Sequence, residues 1–338
     1  MELVMRPNSC PNCKSHQIDT HKKYQIKTGA ERQLYYCHGC QSYFSETKDT
    51  FLFGLRTSIS RIILVLDTLT EGLGINAATR VFSVSKNSIY RWQGRLSELK
   101  KTLLLYALCH QFLQQVIEGD EVYTKVNKNL PPEESLGWTI ILMDRATRFL
   151  WQMECGRKDR KLFRKVLRTL SKVIKKTGEL TLLTDGERRY GNLLFEICAE
   201  VLREGNPGRP KKTLPTGVKV RVKNKGSQAH KRGPKRPKYQ APHAEHPQTQ
   251  QNLKDQDIHA NHVEGFNSSL RRKSAAFRRK TNTYAKKQKR LQERLDTLWV
   301  VYNFVRIHFT TKKVPAAALG ILEEGLTWIQ LFSIRKAF

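Results

Sequence analysis

The chain is short of acid. Its 338 residues carry 30 Asp and Glu against 61 Lys and Arg, a formal net charge of +31. Self-repulsion on that scale disfavours a compact state unless a polyanion screens it. Nucleic acid is the usual partner, because each cation placed on a phosphate releases condensed counterions; an anionic membrane surface is the rival. Long apolar runs are also missing. No stretch of about 18 apolar residues occurs, so no segment is expected to span a bilayer. The opening Met1-Glu-Leu-Val-Met-Arg6 lacks the apolar core of a signal peptide. The seven cysteines are an odd count, and four of them form two C-x-x-C pairs. That argues against a disulfide framework and for a reducing compartment and metal binding. There is no internal repeat.

The paired cysteines, Cys10-Pro-Asn-Cys13 and Cys37-His-Gly-Cys40, flank a segment of strand character. Four thiolates at this spacing fit a tetrahedral, structural Zn²⁺ site in a zinc ribbon. Gly39 suits the tight turn of its knuckle. His16, His21 and His38 are competing ligands that two complete knuckles make unnecessary. A redox role is disfavoured, since no βαβ pattern surrounds either pair. Cys109, Cys155 and Cys198 read as ordinary buried thiols.

A helical unit follows. Ile62, Ile63, Leu66 and Leu69 recur at helical spacing. Residues 74–82 read as a short helix with Asn76 as a plausible N-cap, and Ser83-Val-Ser85 as a turn. Lys86 to Leu96 reads as a second helix capped by Ser85. This is a helix-turn-helix pattern that presents Lys86, Asn87, Ser88 and Arg91 to a major groove, with Ile89 and Trp92 facing the core. An ordinary helical hairpin is the bland alternative.

From about Ile117 strands and helices alternate. Residues 114–126 are extended and contain Asp120. Residues 137–144 and 148–154 form a hairpin turning at 144–147, with Asp144 its turn residue. Residues 161–174 are helical. Leu180 to Thr184 is a strand ending at Asp185, and a helix spans about Tyr190 to Arg203. Strand, strand, strand, helix, strand, helix matches the order of a ribonuclease-H-like fold, in which the first and fourth strands lie side by side in parallel, so Asp120 and Asp185 are expected to be neighbours. Between Asn206 and Ala244 there are twelve Lys or Arg and no acid. Val218 to Val222 alternates and reads as a fifth strand; the rest reads as a basic loop tracking phosphates, with a solvated charge run as the alternative. Helical pattern returns at Asn261, with Val263, Phe266 and Leu270 on one face and Glu264, Asn267 and Arg271 on another. A long apolar-rich helix from Leu291 to about Phe309 closes the domain.

Asp120, Asp185 and Glu264 are the acids of interest. Two strand-borne aspartates and a helix-borne glutamate can hold a pair of hard divalent cations about 3.5–4 Å apart, the arrangement that activates an attacking oxygen and stabilises the leaving one in phosphodiester chemistry. Strands are depleted in Asp, so an Asp120 flanked by apolar residues wants a reason. Glu118 shares its face and Glu121 points away. Asp185 precedes a glycine and reads alternatively as a turn residue. Asn261-x-x-Glu264 has capping-box spacing, so Glu264 reads equally as a helix cap. His262 either orients a water or phosphate or is a plain surface residue. Asp144 and Glu187 are spare acids nearby.

Zinc ribbon, helix-turn-helix and acidic domain, in that order, resemble the transposases of the insertion sequence 1 family across nearly the whole chain. His262-Val-Glu264 with Asn267 and Leu270-Arg271 is similar to the family's His-x-Glu-x-x-Asn segment. Asp120-Glu-Val-Tyr123 and Thr184-Asp-Gly186 are similar to its two aspartate motifs, and Tyr302-Asn303 through Arg306 and His308, with Pro315-Ala316, to a closing segment common in such enzymes. The long basic segment between Asp185 and Glu264 is a departure. The resemblance implies that Asp120, Asp185 and Glu264 are a DDE triad holding two Mg²⁺ or Mn²⁺, and that one Zn²⁺ is structural. It implies a DNA transposase of the prokaryotic cytoplasm, acting at the nucleoid without a membrane, that binds terminal inverted repeats of double-stranded DNA and cleaves and joins strands as a homodimer or higher oligomer on paired ends. The expected organisation is a zinc ribbon at 1–50, a helix-turn-helix domain at 51–109, an α/β ribonuclease-H-like domain with a mixed sheet at 110–312 with a basic insertion at about 206–257, and a helical tail at 313–338. Lys231, Arg232, Lys235, Arg236, Arg271, Arg272 and Asn267 are expected at the DNA. A ribonuclease-H-like nuclease without joining activity and a non-catalytic DNA-binding regulator derived from a transposase are the rival functions.

Overall fold

The computed structural model describes residues 5–27, 29–111, 115–128, 130–184, 186–202, 211–222, 243–244, 259–278 and 282–335. Asp185 and the Lys231, Arg232, Lys235 and Arg236 group lie outside the described residues. The chain is mixed α/β.

Three strands, β1 (Ile18–Gln25), β2 (Glu31–Cys37) and β3 (Ser42–Ser45), make an antiparallel sheet at the N-terminus. It has its own small core of Cys10, Tyr35, Cys37 and Phe44. Three helices follow: α1 (Ile59–Thr70), α2 (Ile75–Val81) and α3 (Lys86–His110). The N-cap of α2 is Gly74 without a side-chain cap, not Asn76, which lies inside the first turn. Ser83 turns the chain at φ 48°. Ser85 caps α3 as expected, its hydroxyl accepting the Ser88 amide at 3.1 Å, and Ile89 and Trp92 are buried. The helix expected to end near Leu96 continues to His110, because Leu99, Leu103 and Ala107 prolong the apolar seam. Gly94 lies in mid-helix where a Cβ would stand 3.4 Å from the Glu293 carboxylate of a later helix.

The larger sheet is built from β4 (Gln115–Tyr123), β5 (Trp138–Asp144) and β6 (Leu150–Gly156), then β7 (Glu179–Thr184) after helix α4 (Arg160–Thr177). Helix α5 (Arg189–Cys198) ends earlier than the expected Arg203, because the chain turns into a short antiparallel pair, β8 (Glu200–Leu202) and β9 (Lys211–Thr213). Strand β10 (Gly217–Val222) joins the sheet where the alternating Val218 to Val222 predicts, and β11 (His243–Ala244) adds two residues at its edge. The order is β11-β10-β7-β4-β5-β6. Strands β4, β7 and β10 run parallel, and β5 is antiparallel to both neighbours. The α4–α5 side covers one face: a Cβ on Gly119 would meet the Tyr190 ring of α5 at 3.2 Å. Helix α6 (Asn261–Lys273) lies against the other face of β4. Helix α7 (Gln288–Phe304) starts and stops a little before the expected bounds, and short helices α8 (Pro315–Ala318) and α9 (Trp328–Ser333) follow.

Strand β6 is a sheet edge, with backbone groups that need partners. Helix α7 supplies them from its side chains. Asn303 accepts the Leu150 amide and donates to the Leu150 carbonyl, both at 2.9 Å. Gln292 accepts from the Cys155 amide at 2.8 Å and donates to the Met153 carbonyl at 2.9 Å, and Gln288 donates to the Cys155 carbonyl at 2.9 Å. The Asn303 of the closing segment thus has a structural role as an edge cover.

The three helices and the sheet share one apolar core, and a buried charge pins them together. Lys100 of α3 donates to Asp296 of α7 at 2.7 Å and to Glu154 of β6 at 3.2 Å, with its side chain 8% exposed. Burial holds the Asp296 carboxyl above its ordinary value. A carboxyl raised in the native state binds its proton more tightly there than when unfolded, so lowering the pH through that raised value relieves the penalty of an unpaired charge. Replacing Lys100 by Met strands the buried Asp296 without a cation, while Glu154 keeps only Lys165 at 2.6 Å. The variant should lose about 3–5 kcal/mol at neutral pH, with the deficit shrinking as pH falls toward the ordinary carboxylate value of about 3.9; urea midpoints measured across pH check both.

Candidate active site and cysteine cluster

Strand alternation puts Glu118 and Asp120 on the face of β4 that α6 covers. The Asp120 carboxylate accepts the Asn267 side-chain amide at 2.6 Å and the amide of Glu121 at 2.8 Å. Asn267 is buried, and its Oδ1 has no partner among the described residues. Glu118 is wholly buried. One of its oxygens accepts the backbone amides of His262 and Val263, each at 3.0 Å; the other accepts Arg145 Nε at 2.8 Å. Arg145 also donates to the His259 carbonyl, 2.5 Å away. A strand carboxylate therefore caps α6 in trans, where free amides and the helix dipole favour a negative charge.

This bears on the cap reading of Glu264. The residue preceding α6 is Ala260, not Asn261, and no side chain of the helix's own flank caps it. The capping box that the spacing allows is not formed. Glu264 stands one turn into α6, half-buried, on the flank it shares with Asn267. Strand β7 ends at Thr184, which pairs with Gly119 in parallel register, and Gly186 takes φ 111°, a conformation that favours glycine. The described ends of the two aspartate motifs are thus adjacent.

The spare acids are committed elsewhere. Asp144 is the hairpin turn residue, accepting the Thr147 amide at 2.8 Å and hydroxyl at 2.6 Å; burial pushes its carboxyl up. Glu187 is gripped by Arg189 at 2.7 Å and Lys158 at 3.4 Å. Burial works to raise its carboxyl, but Arg189 and Lys158 outweigh that and hold it low. Glu121 points away from Asp120 to Lys158 at 2.9 Å. His262 is half-buried, packed edge-on to His259, and held below its usual value first by desolvation.

At the N-terminus the four cysteine sulfurs lie within 4.8 Å of one another. Cys10–Cys40 and Cys13–Cys37 are 3.6 and 3.5 Å apart. Tetrahedral zinc with sulfurs at about 2.3 Å separates them by about 3.8 Å, so the cluster is compatible with a structural zinc site. The Ser42 hydroxyl and the neighbouring sulfurs pull the Cys40 thiol down to about 6. At Cys13 the Ser15 amide pulls down, but desolvation and three sulfurs outweigh it and push the thiol up to about 12. The histidines stand apart: His38 bonds Asp19 at 2.7 Å, His16 the Asn8 carbonyl at 2.7 Å, and His21 packs on Tyr43. A Cβ on Gly39 would meet Ser15 at 2.9 Å, so the knuckle needs glycine. Of the remaining thiols Cys155 is buried, Cys198 is half-buried, and Cys109 is exposed rather than buried, lying near the open end of α3.

Lys86, Asn87 and Arg91 are exposed on the first turns of α3, with Ser88 half-buried against Ser85. Arg272 is exposed and Arg271 half-buried on α6. No helix among the described residues is long and apolar enough to cross a membrane. No protein-family model matches the chain, and no curated protein matches it.

The sequence places Glu118 two residues before Asp120 on the same face but does not show its role as the anchor of α6. Glu118→Ala leaves the Arg145 charge and two helix amides without their buried partner, and should cost about 3–5 kcal/mol. Glu264→Gln should cost less than about 1 kcal/mol, since Gln is an isostere of this half-buried Glu and a comparable helix former. Chemical denaturation of the two variants side by side checks the contrast.

Proposed function

We propose that the chain is a DNA transposase that binds the ends of a mobile element and catalyses metal-dependent strand cleavage and strand transfer. The observation that carries the reading is the attachment of α6 to β4, with Asp120 bonded to Asn267 one turn beyond Glu264. The order β6-β5-β4-β7-β10, with only β5 reversed among these main strands, supports a ribonuclease-H-like reading of the domain. The engagement of Glu118, Asp144 and Glu187 elsewhere favours Glu264 as the third acid beside Asp120 and Asp185.

The donor set fits hard divalent cations: carboxylate oxygens from Asp120 and Glu264, with the buried Asn267 Oδ1 an acceptor lacking a partner among the described residues. Two Mg²⁺ held there would stabilise charge on the attacking and leaving oxygens of an in-line displacement. The chain's own part is positional. Glu118 fixes the start of α6, Asn267 orients the Asp120 carboxylate, and α6 carries Glu264 along the same face. In the first step a water oxygen bonds to phosphorus and the bond to the 3′-oxygen breaks, leaving a 3′-hydroxyl and a 5′-phosphate. In the second that hydroxyl attacks a target phosphodiester, whose own 3′-oxygen leaves with a proton. The exposed first turns of α3 suit sequence reading in a major groove. The cysteine cluster suits a zinc ribbon beside it. Joining two ends in one event calls for a homodimer or larger assembly.

Asp120→Asn, Asp185→Asn and Glu264→Gln should each fold and bind DNA near normally yet lose Mg²⁺-dependent cleavage and joining by orders of magnitude, because a neutral amide is a poor partner for a hard cation. Element ends, target DNA and Mg²⁺ in a strand-transfer assay read this directly. Cleavage without joining would mean a nuclease, and binding with neither would mean a regulator. If Glu264→Gln stays within a few-fold of the parent while both aspartate variants are dead, the triad is wrong.

Metal analysis should find one zinc per chain, and Cys37→Ser should abolish that equivalent and loosen residues 5–46, since so small a unit rarely holds without a metal or a disulfide. A full equivalent in Cys37→Ser refutes the ligand set.

A further inference from the structure

Beside the acidic face of α6 lies a cleft of about 490 Å³, walled by the other flank of α6, the end of β5 with its turn, and the segment after α7. Arg148, Arg272, Lys273 and Arg306 line it with His262 and His308, and no acidic residue is among its lining. Two of the cations are anchored from behind. Arg306 reaches Glu71 at 2.7 Å and Asp67 at 3.1 Å, and Lys273 reaches Glu71 at 3.3 Å. Arg148 is different: its guanidinium makes no hydrogen bond among the described residues, and its Nη1 is buried without a partner. Such an arginine is expected to have an anion. Burial first, and the Arg148 and Lys273 charges after it, hold His308 below its usual value.

Two further features say what kind of anion. Gly265 sits in the middle of α6 on the cleft wall, and a Cβ there would meet nothing within 4 Å. Mid-helix glycine is unfavourable, and nothing within the described protein needs its smallness, so a ligand passing close to the helix is the remaining reason. At the mouth, Phe309 is 84% exposed and Ile307 66% exposed, with Lys312 over the Phe309 ring at 4.1 Å. A cationic groove ending in an exposed aromatic ring is how proteins hold unpaired nucleic acid, phosphates on the cations and a base on the ring.

We propose that this cleft holds an unpaired stretch of the DNA strand next to the acidic site, with its phosphates on Arg148 and Arg272 and a base stacked on Phe309. The proposal rests on the DNA-processing reading above but not on the joining step. It predicts that the full-length protein, without Mg²⁺, binds a labelled duplex bearing a short single-stranded extension more tightly than the same duplex with a blunt end. Phe309→Ala should remove about tenfold of the affinity for the extended duplex and leave the blunt one unchanged. Gly265→Leu should do the same while its unfolding temperature holds. Fluorescence anisotropy measures all three proteins on both probes. If both variants weaken the two duplexes alike, the cleft carries paired DNA; if neither variant changes either probe, it is no DNA site. Either result overturns the proposal. Because Phe309 is a surface side chain, loss of fold cannot mask the answer. Failure here leaves the strand-transfer assay of the acid variants to stand by itself, and a preference for extensions in a protein that never joins strands would keep the cleft and reject the transposase.

Discussion

One buried carboxylate organises the acidic face. Glu118 is wholly inside, and a charge there is tolerable only with full compensation. It receives a guanidinium on one oxygen and two helix amides on the other. Those same bonds decide where α6 begins and how it is rotated against β4, and the Asp120–Asn267 bond repeats the attachment further along the helix. Any chemistry that needs Asp120 and Glu264 to cooperate depends on these two ties. Catalytic constellations tolerate little looseness, and a strand-to-helix clamp is stiffer than a loop.

A second constraint comes from the sheet edge. Among the described residues strand β6 has no strand on its outer side, and α7 meets its backbone with Gln288, Gln292 and Asn303. Helix α7 in turn packs along α3, with the Glu293 carboxylate lying over Gly94, and the Lys100 bonds to Asp296 and Glu154 lock the pair to the sheet. The helix that carries Lys86, Asn87 and Arg91 at one end is therefore continuous with the core that carries the acids. DNA read by the start of α3 would be positioned against the sheet by a rigid strut rather than by a flexible linker.

Much of this was legible because it is periodic or local. Alternation at Val218 to Val222 gave the fifth strand, the helical seam Val263, Phe266, Leu270 gave the buried face of α6, and Ser85 gave a cap visible three residues on. What was not legible is non-local. The seam Leu99, Leu103 and Ala107 continues past Leu96, but α7, against which α3 packs, lies nearly two hundred residues later in the chain. Asn76 looks like a cap by residue type, yet Gly74 leaves the turn and sets the helix start one residue before it. Cys109 looks apolar by type, but the end of α3 holds it at the surface. Glu118 carries the same lesson: a strand residue's partner across the sheet face cannot be read from its neighbours in sequence.

The Glu264 ambiguity shows how a non-local contact settles a local one. An acid in the first turn of a helix ordinarily answers two needs, the free amides and the dipole. In α6 the amides of His262 and Val263 are already satisfied, by a carboxylate some hundred and forty residues upstream. The usual structural reason for an acid at Glu264 is thereby weakened. A third acid, on the helix that covers Glu118 and Asp120, adds negative charge to that side of the sheet in a chain with few acids to distribute. Three acids carried by one strand and the helix over it, in a protein of net charge +31, make physical sense if cations are bound by two of them while Arg145 neutralises the third. Glu118 belongs to the fold, and under the proposed reading Asp120 and Glu264 are the acids that would face the cations.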